Sequence, residues 1–86
     1  MLDIKVLGPG CQKCRQVEQL VMDDLEVLLG ENPGLEVSLE HIEDLLEIEQ
    51  YSIFFTPALV VNGKVVCAGR VPSQEEIIGW FRNAIQ

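Results

Sequence analysis

The chain has 86 residues, of which 48% are apolar, and this suits one domain over residues 1–86 with one packed core. Its 14 acidic and 6 basic residues give a formal net charge of −8. Such a surface repels phosphate backbones and anionic headgroups, so we expect neither nucleic acid nor membrane as a partner. The first residues have no basic stretch followed by an apolar one, so no signal peptide is expected. We expect a cytoplasmic monomer whose thiols are kept reduced.

The first half of the chain predicts a strand, a long helix, a second strand and a short helix. Residues 3–7 form the first strand, which Gly-Pro-Gly at 8–10 ends. From Cys11 to a stop at Gly30, apolar residues recur at helical spacing. They are Cys14, Val17, Val21, Leu25 and Leu28. Residues 35–41 alternate like a half-buried strand near a sheet edge. Residues 42–49 predict a short helix that is acidic at its start.

The second half predicts a β-hairpin and a capped helix. Asn62-Gly63 separates two β-branched runs, 58–61 and 64–67, and both turn residues favour positive φ. Ser73 and Glu76 form a capping box for a last helix, whose core face holds residues 77, 78, 81, 84 and 85. The order β-α-β-α-β-β-α predicts an α/β fold. We expect a four-stranded mixed sheet with helices on both faces, in which the first two strands are parallel.

Cys11-Gln12-Lys13-Cys14 is the motif that carries chemistry. Two thiols at this spacing, at a turn from strand to helix, can form a reversible disulfide or hold a soft metal ion. The helix N-terminus and Lys13 both favour the thiolate of Cys11, so its pKa should fall from the ordinary value of about 8.5 toward neutrality. Cys14 lies one turn further in and should be more buried. In disulfide chemistry Cys11 would therefore attack, and Cys14 would resolve the mixed disulfide.

Thr56-Pro57, directly before a predicted strand, makes the pattern more specific. Together with the cysteine pair, the Asn62-Gly63 hairpin and Gly69, it resembles the thioredoxin fold superfamily over essentially the whole chain. The runs 8–14, 56–59 and 69–73 are similar to those of the small thioredoxin/glutaredoxin-like redox-active disulfide proteins of prokaryotes. This resemblance implies a thioredoxin-like fold and a disulfide oxidoreductase.

The resemblance also implies roles for individual residues. Pro57 would be cis and would pack against the Cys11–Cys14 disulfide, while the backbone of Thr56 would pair with an extended client segment. No cofactor beyond that disulfide is implied, and the partners would be client proteins that contain disulfides. Gly69-Arg70-Val71 stands where glutaredoxins have Gly-Gly-Asp. An upstream reductase of the thioredoxin-reductase type is therefore expected rather than glutathione.

A soft-metal carrier is the alternative hypothesis for the function of the same cysteines. Small copper chaperones also place Cys-x-x-Cys between a first strand and a helix, and thiolates suit Cu(I). Their order is β-α-β-β-α-β, however, whereas this chain is expected to end on a helix. Thr56-Pro57 would also have no role in such a carrier. Disulfide chemistry is the favoured reading, and no metal site is expected.

Five further residues are interpreted first in structural terms, with a functional alternative for all but His41. Lys5 falls in a strand expected to be central, so its ammonium should reach a partner or solvent, unless it supports the thiolate. Cys67 is interpreted as a buried core thiol, with a redox role as the alternative. His41 is expected to be solvated or to cap the short helix. Phe54 and Phe55 are core or rim aromatics, or a hydrophobic landing surface beside the disulfide.

Overall fold

The computed structural model describes residues 2–10, 12–53 and 55–85. The elements are β1 Leu2–Leu7, α1 Gln12–Glu31, β2 Val37–Ile42, α2 Leu45–Glu49, β3 Ala58–Val61, β4 Lys64–Ala68 and α3 Gln74–Ile85. The strands form one sheet in the order β2-β1-β3-β4. β1 is parallel to β2 and antiparallel to β3, and β3 is antiparallel to β4. The predicted α/β class and mixed four-stranded sheet are confirmed.

The alternation of β1 divides the core between the two faces of the sheet. Leu2, Ile4 and Val6 belong to the larger cluster, which α1 and α3 complete. Leu7 points to the opposite face, where the smaller cluster contains Ile48 of α2. The predicted helical face of α1, at positions 14, 17, 21, 25 and 28, is buried throughout. Helices therefore cover both faces, but the second face is covered by a helix of five residues only.

Several element ends differ from the sequence prediction, and the second strand, expected over 35–41, is β2 Val37–Ile42. Ile42 was assigned to the short helix, yet it is the buried last residue of β2, paired with Leu7 of β1. Its carbonyl accepts a hydrogen bond from the Gly8 amide at 3.0 Å, so the strand ladder satisfies its backbone. α2 begins only after Asp44, whose side chain accepts from the Leu46 amide. α1 passes through Gly30 and ends at Glu31.

The turn and cap signals in the second half of the chain have their expected geometry. Asn62 and Gly63 have φ values of 50° and 81°, which fit the tight hairpin between β3 and β4. At the start of α3 the Glu76 amide donates to Ser73 Oγ, and the Ser73 amide donates to a carboxylate oxygen of Glu76, both at 3.1 Å. Arg70 binds the same carboxylate through two nitrogens, and this pairing lowers the pKa of Glu76 to about 2. No helix among the described residues is both long and apolar enough to cross a membrane.

Asp24 is a buried carboxyl where α1 meets α3. It is 3% exposed, and within the described part of the chain its Oδ2 atom has no hydrogen-bond partner. Burial raises the pKa of Asp24, and a hydrogen bond with Gln74 opposes this rise only in part. The folded chain thus binds a proton at Asp24 more tightly than the unfolded chain does. Ionisation of Asp24 therefore costs stability as the pH rises above the ordinary carboxyl range of about 4.

Replacing this carboxyl by an amide should stabilise the protein at neutral pH. We expect Asp24→Asn to raise the free energy of unfolding by about 1 kcal/mol at pH 7 in urea, because it removes the buried charge. The gain should fade toward about pH 3, where Asp24 itself is protonated. Asp23→Asn is the matched control at an exposed hydrogen bond with Gln19, and should change stability by less than about 0.5 kcal/mol. A gain that does not depend on pH, or a loss at pH 7, would contradict this account.

Candidate functional site

Gly8 is the point where the end of β1, the start of α1 and the loop before β3 meet. The residue is buried, and a Cβ built on it would overlap Cys14 Sγ. The same Cβ would lie 3.6 Å from the Cβ of Thr56. Only a residue without a side chain allows Cys14 and Thr56 to approach β1 this closely. The structure therefore brings two of the sequence-predicted site residues, Cys14 and Thr56, against one glycine.

Cys14 lies in the first turn of α1 and is fully buried, whereas Gln12 and Lys13 beside it are exposed. Cys11 lies outside the described residues. The arrangement places one thiol of the motif where another macromolecule cannot reach its sulfur directly. It also leaves the ammonium of Lys13 in solvent at the start of the helix.

The loop that carries Thr56 and Pro57 is fixed from two sides. The Thr56–Pro57 peptide bond is cis, which is the geometry that the family resemblance implied. The Pro57 carbonyl accepts a hydrogen bond from the Gly69 amide at 2.8 Å. Gly69 has a φ of +83°, and a Cβ there would lie 3.0 Å from Phe55 Cβ. Gly8 and Gly69 therefore flank this loop, and the Phe55 side chain remains 73% exposed next to it. Phe54 lies outside the described residues.

His41 belongs to this site, and the expectation of a solvated or helix-capping role was wrong. Its side chain is 18% exposed. Nε2 lies 3.1 Å from the carbonyl oxygen of Gly8, and Nδ1 lies 3.1 Å from Glu18 Oε2 of α1. One feature of this contact lies in the sequence, and the other comes from the observed strand register. Glu18 follows Cys14 by four residues on one helix face, and parallel pairing of β1 with β2 sets His41 opposite Val6.

Lys5 and Cys67 have the structural environments expected of them. Lys5 Nζ lies 3.2 Å from Asp3 Oδ2, and this hydrogen bond raises the pKa of Lys5. Cys67 lies in the larger core cluster at 8% exposure, and burial raises the pKa of its thiol. Its Sγ donates to the Arg70 carbonyl at 3.8 Å. A thiol with a raised pKa is a poor nucleophile at neutral pH, so we interpret Cys67 as part of the core.

The described residues contain no cluster of metal-ligating side chains, and Cys11 of the candidate pair lies outside them. In residues 2–10, 12–53 and 55–85, no three His, Cys, Asp or Glu side chains form a group that could hold an ion. His41 is the one histidine of the chain, and its two ring nitrogens face the Gly8 carbonyl and Glu18.

A mixed sheet of this order, with a cysteine in the first turn of the helix after its first strand, is the architecture that the resemblance to thioredoxin-like proteins implied. The family model described as thioredoxin domain matches residues 2–82. A thioredoxin of Methanocaldococcus jannaschii is 32% identical over 77 residues, which cover 90% of this chain and 83% of that relative. A thioredoxin of Methanothermobacter thermautotrophicus is 30% identical over 77 residues, which cover 90% of this chain and 94% of that relative. The chain therefore belongs to the thioredoxin domain family.

The close approach at Gly8 predicts a large effect of a single methyl group. Gly8→Ala should lower the free energy of unfolding by about 1–3 kcal/mol, because the added Cβ overlaps Cys14 Sγ and α1 must shift. Gly79→Ala is the control, since Gly79 is an exposed residue of α3 with nothing within 4 Å of the added atom. That change should be neutral or stabilising by up to about 1 kcal/mol. Equal stability of Gly8→Ala and the wild type in urea unfolding would contradict the packing described here.

Proposed function

We propose that this protein is a thiol–disulfide oxidoreductase that reduces or exchanges protein disulfides with the Cys11/Cys14 pair. The observation that carries the proposal is the convergence of Cys14 and Thr56 on Gly8. One sulfur of the proposed redox pair and the residue that precedes a cis-proline then meet at the same buried glycine. A client segment bound along Thr56 would present its disulfide to the motif.

The two cysteines take different roles in the proposed reaction. The Cys11 thiolate attacks one sulfur of the client disulfide, and the other client sulfur leaves as a thiolate. Cys14 loses its proton and attacks the Cys11 sulfur of this mixed disulfide, which releases the second client thiolate. The client gains two electrons, and the pair is left as the Cys11–Cys14 disulfide. The complete burial of Cys14 supports its role as the resolving thiol, because a protein client cannot reach it first.

Lys13 is proposed to favour the thiolate of Cys11. It is exposed in the first turn of α1, at the positive end of the helix dipole. An ammonium two residues from Cys11 attracts the thiolate more than the neutral thiol. Solvent screening limits this effect, so Lys13 tunes the reactivity of Cys11 and is not required for the reaction.

Client recognition is assigned to the loop before β3. The backbone of Thr56 can pair with an extended client segment, as in strand addition. The exposed ring of Phe55 offers an apolar contact on the same loop. Disulfide-containing proteins are the proposed clients. The names of the two relatives support an upstream reductase of the thioredoxin-reductase type. The pair needs no further cofactor, and one cytoplasmic domain over residues 1–86 is the proposed functional unit.

Reduction of insulin disulfides with dithiothreitol as electron source tests the proposal. Cys11→Ser should lower the rate about 100-fold or more, because it removes the attacking sulfur. Cys67→Ser is the matched control and should stay within about twofold of the wild type, since Cys67 is a buried thiol outside the site.

A second arm of the test identifies the clients. Cys14→Ser should accumulate mixed disulfides through Cys11 that dithiothreitol releases, because the resolving step is absent. Full insulin-reducing activity of Cys11→Ser would contradict the proposal. A wild type that retains Cu(I) and shows no redox turnover with any reductant would instead identify a metal carrier.

A further inference from the structure

We propose that His41 is a positioning residue for Cys14. It binds the Gly8 carbonyl and thereby fixes the backbone against which Cys14 Sγ packs. The inference deepens the proposed function and rests on it. Sequence position gives His41 no connection with the motif, since it lies 27 positions after Cys14. The connection comes from the parallel pairing of β1 with β2, which sets His41 opposite Val6, two residues before Gly8.

Both backbone polar groups of Gly8 are held by the end of β2. The Gly8 amide donates to the Ile42 carbonyl at 3.0 Å, and the Gly8 carbonyl accepts from His41 Nε2 at 3.1 Å. A carbonyl oxygen can only accept, so Nε2 must carry the proton in this contact. Gly8 has no freedom to move without breaking one of these bonds. Cys14 Sγ occupies the space that a Cβ on Gly8 would take.

The other ring nitrogen, when it too is protonated, fastens the imidazolium to the helix that carries Cys14, because a carboxylate can only accept. Nδ1 lies 3.1 Å from Glu18 Oε2, and Glu18 follows Cys14 by one turn of α1. Glu43, in the segment after β2, brings a second carboxylate to 3.9 Å from Nδ1. His41 therefore bridges β1 and α1 on the two sides of the motif, through Gly8 before it and Glu18 after it.

This bridge should act on the stability of the disulfide through the placement of Cys14. An intramolecular disulfide is favoured in proportion to the effective concentration of one thiol at the other. If the Gly8 backbone becomes more mobile, Cys14 Sγ samples more positions. The effective concentration of the Cys14 thiol at the Cys11 thiol then falls. The disulfide then becomes easier to reduce, so its reduction potential rises.

The test is the equilibrium of the Cys11–Cys14 disulfide with dithiothreitol buffers in four variants. Glutamine at position 41 can place an amide nitrogen near the position of Nε2, whereas asparagine can place one only near Nδ1. His41→Phe and His41→Asn, which lose the bond to Gly8, should be reduced about three- to tenfold more easily. A tenfold change equals about 30 mV. His41→Gln should return the equilibrium toward the wild-type value. Leu28→Ala, which lies about 21 Å from Cys14 along α1, is the control for general destabilisation.

Each outcome of this comparison bears on the inference. The inference is supported if the disulfide of His41→Asn is easier to reduce than that of the wild type while the disulfide of His41→Gln is not. This holds even if His41→Phe fails to fold. Equal shifts in His41→Gln and His41→Asn, shifts below twofold in both, or an equal shift in Leu28→Ala would overturn it.

A spectroscopic arm separates failure of this inference from failure of the proposed function. His41 is the one histidine of the chain, so its ring nitrogen signals are assigned without ambiguity in ¹⁵N NMR. Nε2 should show the shift of a protonated, hydrogen-bonded nitrogen. An unprotonated Nε2 would overturn the positioning role even when the wild type forms its disulfide. A wild type that shows the Nε2 signal but forms no Cys11–Cys14 disulfide would overturn the proposed function, and the positioning role with it.

Discussion

The contact between Gly8 and Cys14 is the constraint on which the site depends. β1 can end against the first turn of α1 only because Gly8 has no side chain, and the Cys14 sulfur occupies the space that a Cβ would take. Thr56 approaches the same residue from the loop before β3. One small residue therefore sets the distance between the first turn of α1 and the loop before β3. The rest of the fold holds three segments at that point.

The sheet provides this support through its central strands. β1 is bonded to β2 on one side and to β3 on the other, so its end is fixed by both neighbours. The larger cluster contains Val17, Val21, Leu25 and Leu28, which continue along α1 the buried face on which Cys14 lies. Burial of that face sets the direction of α1, and the direction of α1 sets the position of the sulfur. On the opposite face, Ile48 of α2 packs near Leu7, directly before Gly8. Packing on both faces thus converges on the end of β1.

Much of the fold was predictable because its signals are local. The helical spacing from Cys14 to Leu28, the Asn62-Gly63 turn and the capping box at Ser73 are each read within a few residues. Contacts between distant segments were not predictable in the same way. His41 and Gly8 are 33 residues apart, and only the register of β1 with β2 brings them together. Asp24 lies between helix positions that are correctly read as buried. Its own burial follows from the packing of α3, which α1 alone does not encode.

The central claim is that Cys11 and Cys14 form a reversible disulfide while Cys67 remains a core thiol. The most direct measurement equilibrates the protein in dithiothreitol buffers of increasing oxidising strength, alkylates the remaining thiols and maps the peptides by mass spectrometry. The account predicts one two-electron transition that protects Cys11 and Cys14 together and links them within one chain. Cys67 should be alkylated in both the oxidised and the reduced protein, once the protein is unfolded in the alkylating solution. A disulfide that involves Cys67, a link between chains, or two unlinked thiols at positions 11 and 14 under every condition would contradict the account.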